Sequence, residues 1–284
     1  MKIGLLTAPG VKVSTDGFTV LIRGAGDLAS GVAHRLSRCH FRVLMTEIPR
    51  PQAVRREVAF SEAVYEGEKE VEGVVARLIS SPDEVFGVWR AGKLPLLVDP
   101  EARVRDVLKP DILIDAIIAK RNLGTKITDA PLVIGLGVGF WAGRDVHAVI
   151  ETNRGHNLGR VIITGEAEAD TGVPGVIAGF ATERVLRAPG AGRFSTKKKI
   201  GDSVQAGDVV ASVDGAPLKA MIDGIVRGLL RDGTQVHKGM KSGDIDPRGI
   251  SENCYTISDK GRSIAGGVLE AILSRFKIEA INQY

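Results

Sequence analysis

Apolar residues in the first 140 positions fall into short runs separated by stretches of helical spacing. Phe18 to Ile22 is a β-branched apolar run, and after Arg23-Gly24-Ala25-Gly26-Asp27 come Leu28, Val32 and Leu36 at four-residue intervals, the spacing of one helix face. The pattern predicts a strand, a glycine turn and a helix. Phe41 to Met45 is a second run that ends in Thr46-Glu47 and is closed by Pro49 and Pro51, which cannot continue a central strand; a βαβ unit results. Further along, a helix is predicted around Gln52 to Phe60, a strand around Val71 to Ile79, a helix start at Pro82-Asp83-Glu84 and a strand from Leu94 to Val98. Ile112 to Ala116 and Leu132 to Leu136 are unbroken apolar runs, which read as parallel strands covered on both faces. Gly135, Gly137 and Gly139 follow, a second place where backbone can closely approach a ligand.

From about Val185 the texture changes to short runs punctuated by glycines, with no helical spacing until Ile264 to Phe276. The segment from Gly192 to Ala211 finds an echo in Gly224 to Lys241, each with an opening strand, a Gly-rich turn and a closing strand, a weak internal repeat. This layout is similar to a biotinyl/lipoyl-type barrel sandwich over roughly Leu186 to Pro247. A carrier of that type displays a lysine at the hairpin tip; here the tip is Asp214 to Pro217 and Lys219 lies just beyond it, so a scaffold is expected. The fold class expected is α/β: a Rossmann-like parallel sheet domain over residues 1–184, a small all-β barrel-sandwich-like region over 185–250, and a C-terminal helical segment over 251–284 that packs back.

The totals narrow the classes of function. With 284 residues, 44% hydrophobic and 25% charged, the chain has the composition of an ordinary globular protein. Its longest apolar runs are far shorter than the roughly 20 residues that cross a bilayer, and Lys2 precedes only a brief apolar stretch broken by Pro9 and Gly10, so no leader and a cytoplasmic location are expected. Cys39 and Cys254 stand far apart, outside any metal-ligand spacing, so neither disulfide nor metal is expected. A net charge of +4 with 5% aromatics lacks the basic, aromatic-laced stripe of a nucleic-acid binder; Lys197 to Lys199 read as a solvated turn. Small anionic ligands suit this balance better.

The chemistry concentrates at the glycine turn. Gly24, Gly26 and Ala29 fit G-x-G-x-x-A after a strand and at the start of a helix, where backbone N–H groups and the helix N-terminus can hold a phosphate. Gly24, Ala25, Gly26, Asp27 and Leu28 are therefore the candidate cofactor-binding turn. Glu47 stands 21 residues beyond Gly26, where a carboxylate accepts hydrogen bonds from a ribose diol. Two structural alternatives stay open: glycines that serve only helix–strand packing, and Asp27 as helix N-cap. Arg23 is expected either beneath the turn or paired with Asp27. Arg55 and Arg56 follow at the sheet edge; either could bind phosphate, Arg55 being the one taken as a cofactor contact, and neighbours on a helix diverge, so at least one of the two is expected on a solvated face. Lys120-Arg121-Asn122 has the same location. Ile150 to Gly159 packs Glu151, Arg154, His156 and two amides into ten residues. Either Glu151 pairs with Arg154 and His156 caps a helix, or the segment is a pocket wall, with Arg154 a ligand contact and His156 the candidate for proton transfer.

The segments "RGAGDLASGVAHRL", "TEIPRPQAVRREVAFSEAV", "DAIIAKRN", "GLGVGFWAGRDVHAVIETNRGHNLGRVI" and "DTGVPG" together resemble the YqeB-type proteins of the selenium-dependent molybdenum hydroxylase system, from about Phe18 to beyond Pro247. Val138 and Asp170 depart from that pattern, which has proline and asparagine there. The resemblance implies an accessory or maturation factor for a molybdenum hydroxylase, with a front part similar to the Rossmann domain of the XdhC/CoxI accessory proteins and a molybdopterin-type cofactor as ligand. Two other functions remain open: an NAD(P)-dependent oxidoreductase, and a non-catalytic nucleotide-binding assembly protein. Expected partners are the hydroxylase and a small-molecule cofactor, without nucleic acid or membrane; a homo-oligomer stays open.

Overall fold

The computed structural model describes residues 11–12, 17–276 and 281–282; Lys2, Pro9 and Gly10, on which the reading of the N-terminus rests, lie outside them. Nine strands form one sheet whose centre is Thr19–Arg23. On one side of it lie, in order, Ile112–Asp115, Leu132–Leu136, Ala148–Ile150 and Val161–Ile162; on the other, Arg42–Glu47, Leu94–Val98, Val74–Ile79 and Glu68–Val71. The seven inner strands pair in parallel, whereas the outermost strand on each side is antiparallel to its neighbour. Alternation divides the core: Val20, Ile22, Val43 and Met45 face the helices Asp27–Arg38 and Asp259–Arg275, while Leu21, Leu44, Leu113 and Val133 pack with Val85, Val88 and Phe140 on the other face.

This overturns the expected fold class. The sheet is mixed, and most of its crossovers carry no full helix, so a Rossmann-type domain followed by a barrel sandwich and an appended helix does not describe the molecule. Two causes are visible. The strand expected over Val71 to Ile79 is a hairpin that turns at Glu72 and Gly73, with φ +46 and +80, the two positive values a two-residue turn between twisted strands requires. The segment from Ile117 to Pro131, rich in turn residues, crosses between parallel strands without a helix. The later part of the chain forms separate antiparallel sheets instead of one small barrel. One four-stranded sheet has the order Val185–Arg187, Lys241–Asp246, Gly224–Leu229, Ser203–Val204, and another the order Ala216–Lys219, Val209–Val213, Gly192–Ser195, Gln235–Val236. Lys219 ends a strand paired with Val209, and the tip itself is formed by Asp214 and Gly215.

The helix Asp259–Arg275 lies on Asp27–Arg38, and the two approach through glycines: a Cβ on Gly31 would stand 3.3 Å from the Gly261 carbonyl oxygen. Ser258 caps the later helix by accepting a hydrogen bond from the Gly261 N–H.

The helix expected over Gln52 to Phe60 is replaced by two 3-10 turns, Arg56–Val58 and Phe60–Glu62. The reason is tertiary. The Val54 carbonyl accepts the Leu229 N–H at 2.7 Å, and Arg56 Nε donates to the Leu229 carbonyl at 2.7 Å, so this stretch is spent on joining the large sheet to the antiparallel region. Gly228 is required there, since a Cβ would meet the Val54 carbonyl oxygen at 3.0 Å. Among the described residues no helix is long and apolar enough to cross a membrane.

Candidate functional site

Strand register brings the candidate residues to one edge of the sheet. Arg23 aligns with Thr46 on one side and with Asp115 on the other, so the glycine turn, Glu47 and the residues after Asp115 surround a common cleft. Its volume is about 560 Å³, and its walls include Gly24, Gly26, Leu28, Glu47, Ile117 and Leu123.

Within the turn the residues have separate tasks. Gly24 has φ +100, donates its N–H to the Thr46 carbonyl at 2.8 Å, and leaves no room for a side chain, since a Cβ would stand 3.1 Å from the Ala116 carbonyl oxygen. Ala25 is buried, and its N–H donates to Glu47 Oε2 at 2.9 Å. The other Glu47 oxygen accepts the Ile48 N–H at 2.8 Å. Glu47 thus fastens the turn to the end of its own strand; burial pushes its pKa up, against the pull of these two N–H groups. Gly26 is the N-cap of the helix, in place of Asp27, with φ −66 and extended backbone. Beyond its own chain neighbours, no protein atom lies within 4 Å of where its Cβ would be.

Asp27 opens the helix and is 3.9 Å from Arg55 Nη1. Arg23 does not reach it. The Arg23 guanidinium lies beneath the sheet edge, 3.4 Å from Asp115 Oδ2 and bonded to Thr125 Oγ1 and the Pro100 carbonyl. Arg55 and Arg56 diverge as their adjacency requires, yet neither is solvated: Arg55 is 8% exposed, donates Nη2 to the carbonyls of Asn253 and Thr256, and has a buried Nε without a hydrogen-bond partner.

A second cavity of about 820 Å³ adjoins the first, and Asp27, Leu28 and Ile118 line both. Arg154 is on its wall, held by a two-pronged pair to Asp259 at 2.6 and 2.8 Å; that hydrogen bonding holds the Asp259 carboxyl well below the usual carboxylate range. Glu151 is not Arg154's partner. It is buried and accepts the N–H groups of Asn153 and Glu168. His156 is exposed and lines neither cavity, so the structure separates it from the rest of the candidate set.

The second glycine turn is filled by the protein itself. A Cβ on Gly135 would run into the Phe140 ring, one on Gly137 into the Thr152 hydroxyl, and one on Gly139 into the Arg121 backbone at 2.6 Å. Sequence reading passed over Arg184, Arg227 and Lys260, which also line the larger cavity. Arg227 belongs to an antiparallel strand and Lys260 to the first turn of the last helix, so no local motif joins them to Arg55.

No family model matches the chain. It is similar to the "Uncharacterized protein YqeB" of Escherichia coli, with 53% identity over 254 residues, 89% of this chain and 47% of that protein. The chain thus spans about half the length of that curated relative. Among solved structures it is similar to the product-bound ectoine utilization protein EutE (DoeB) of Ruegeria pomeroyi, with 12% identity, 81% of this chain, 85% of that one and a TM-score of 0.24. An aspartoacylase family protein of Mesorhizobium loti matches with 12% identity, the same coverages and a TM-score of 0.27. Likenesses this distant carry nothing about the site.

Proposed function

We propose that the protein binds a phosphate-bearing heterocyclic cofactor, of the nucleotide or molybdopterin class, in the cleft at the start of the first helix, and that it serves as an accessory factor in the maturation of a molybdenum hydroxylase. Gly26 carries the binding half of this reading. Its φ and ψ are open to any residue, and nothing in the protein occupies the space a side chain would fill. A glycine that neither conformation nor packing demands is accounted for by a ligand that approaches the backbone there. The phosphate would take the N–H groups of Gly26, Asp27 and Leu28. The ring would lie among Ile48, Pro51, Ala53, Ile117 and Leu123. Each Glu47 oxygen holds one N–H and keeps a lone pair for a ribose hydroxyl or a pterin N–H. The motif resemblance over Phe18 to Pro247 supports the maturation half.

Two experiments test the two halves. Thermal melts with NAD, NADP, ATP and molybdopterin identify the ligand, since one present at 100 times its Kd adds about 2.7 kcal/mol. Loss of the gene is expected to leave a molybdenum hydroxylase folded but short of active cofactor; undiminished hydroxylase activity in that strain, with no second copy of the gene, removes the maturation role. Accumulation of a metabolic substrate with the hydroxylase untouched points instead to a nicotinamide-dependent oxidoreductase.

A further inference from the structure

The larger cavity has an electrostatic imbalance that its own residues leave uncorrected. Eight Lys and Arg side chains line it against four Asp and Glu. Several of these cations are committed: Arg184 to Asp244 and the Gly175 carbonyl, Lys120 to Asp170, and Arg154 to Asp259. Arg227 is not. It is 6% exposed, and the carboxylates nearest to it, Asp244 at 4.0 Å and Asp246 at 3.7 Å, are each held more closely by another arginine, Arg184 and Arg248. Its Nε has only a 3.3 Å contact with the Asn253 carbonyl.

Arg55, itself 8% exposed, bonds to backbone carbonyls of the same segment and repels Arg227. Lys260 completes the group. Among the described residues its Nζ makes no hydrogen bond; burial pushes its pKa down, Asp27 and Glu151 pull it up, and Arg154 and Lys241 push it down. Arg55 has Asp27 at 3.9 Å and Arg227 has Asp246 and Asp244 at 3.7 and 4.0 Å, all beyond hydrogen-bonding distance; two buried guanidinium groups that repel each other are thereby only partly compensated, and an anion between them would complete the compensation.

We propose that Arg55, Arg227 and Lys260 form a subsite for an oligophosphate, two or more linked phosphates, belonging to a ligand whose ring lies in the adjoining cleft. The three cations come from three separate elements around a space of about 820 Å³. A single phosphate also carries only about two negative charges at neutral pH, whereas a diphosphate or triphosphate balances three cations. Arginine forks fit phosphate oxygens in pairs. Asp27, on the boundary of the two cavities, is 3.9 Å from Arg55, beyond hydrogen-bonding distance, and leaves that guanidinium available. The position of the ring rests on the cofactor-binding reading above; the anion subsite does not.

Titration calorimetry of the full chain with inorganic tripolyphosphate and with orthophosphate, at fixed ionic strength, tests it. Tripolyphosphate is expected to bind about tenfold or more tightly than orthophosphate, and Lys260→Met to weaken it by about tenfold. Lys260 has no hydrogen bond to lose, and the attraction of Asp27 and Glu151 is set against its burial and the repulsion of Arg154 and Lys241, so this variant is expected to melt close to the parent. Lys238→Met, which removes the same charge at an exposed position outside both cavities, should leave binding unchanged. Tripolyphosphate that binds while no nucleotide or pterin does would retain the subsite and discard the cleft reading. The subsite is overturned if tripolyphosphate fails to bind, if orthophosphate binds as tightly, or if Lys238→Met weakens binding as much as Lys260→Met.

Discussion

The two glycine turns stand at the same edge of the sheet, with only the strand Ile112–Asp115 between the strands that lead into them, and their glycines answer to different neighbours. At and just after the end of Leu132–Leu136, Gly135, Gly137 and Gly139 each face another part of the chain: the Phe140 ring, the Thr152 hydroxyl and the Arg121 backbone. After Thr19–Arg23, Gly24 faces the Ala116 carbonyl in the same way, but Gly26 faces open space. Glycine spacing in a sequence therefore reports that something comes close to the backbone; only the fold tells whether that something is the protein. The cleft beside Gly26 is where the protein leaves the place vacant.

Gly139→Ala should have the largest effect. It puts a side chain at φ +110 and against the Arg121 backbone, and a loss of about 3 kcal/mol is expected; an unchanged melting temperature would show that the Arg121 loop yields, and the contrast between the turns would vanish. Glu47→Ala removes the acceptor of the buried Ala25 N–H and should cost about 1–3 kcal/mol, with Glu47→Gln intermediate. A denaturant titration that finds no change would mean the turn is held without that carboxylate. Gly26→Val should shift stability by no more than about 1 kcal/mol while nucleotide or pterin binding is lost, so wild-type affinity in this variant would dissolve the distinction drawn here.

The smallest effect is expected from Arg154→Ala. Its partner Asp259 is mostly exposed, so the pair contributes at most about 1 kcal/mol. Asp259's folded pKa is depressed, so this contribution is present above the unfolded value of about 4 and is lost as pH falls through the folded one. Melting curves of parent and variant should converge in acid; a gap that widens there would contradict the pairing.

Much of the first turn was legible because its signals are local. Strand, glycines, helix and Glu47 lie within thirty residues, and the register of two parallel strands does the rest. The sheet edge was not legible, because Glu72 takes a positive φ that glutamate seldom adopts and gives no turn signal of the Asn-Gly kind. The segment around Val54 was misread as helix because its backbone partner, Leu229, comes from a distant strand. The same distance hid Arg227 and Lys260 from any motif that includes Arg55, and the exposure of His156 was invisible in a segment dense with polar residues.

The packing of Gly31 on Gly261 has a consequence for how the molecule is made. Between the end of the first helix at Arg38 and the start of the last at Asp259 lie 220 residues of the chain, so at translation speeds of about 5–20 residues per second roughly 10–45 s elapse between them. Throughout that interval Gly31, which the finished protein packs against the Gly261 backbone, lacks its partner. Ser258, Asp259 and Lys260, which complete or brace the wall of the larger cavity, arrive with that same last helix. The glycine turn is therefore made early and the residues that brace the larger cavity late, so the wall of that cavity is complete only once Asp259–Arg275 has emerged.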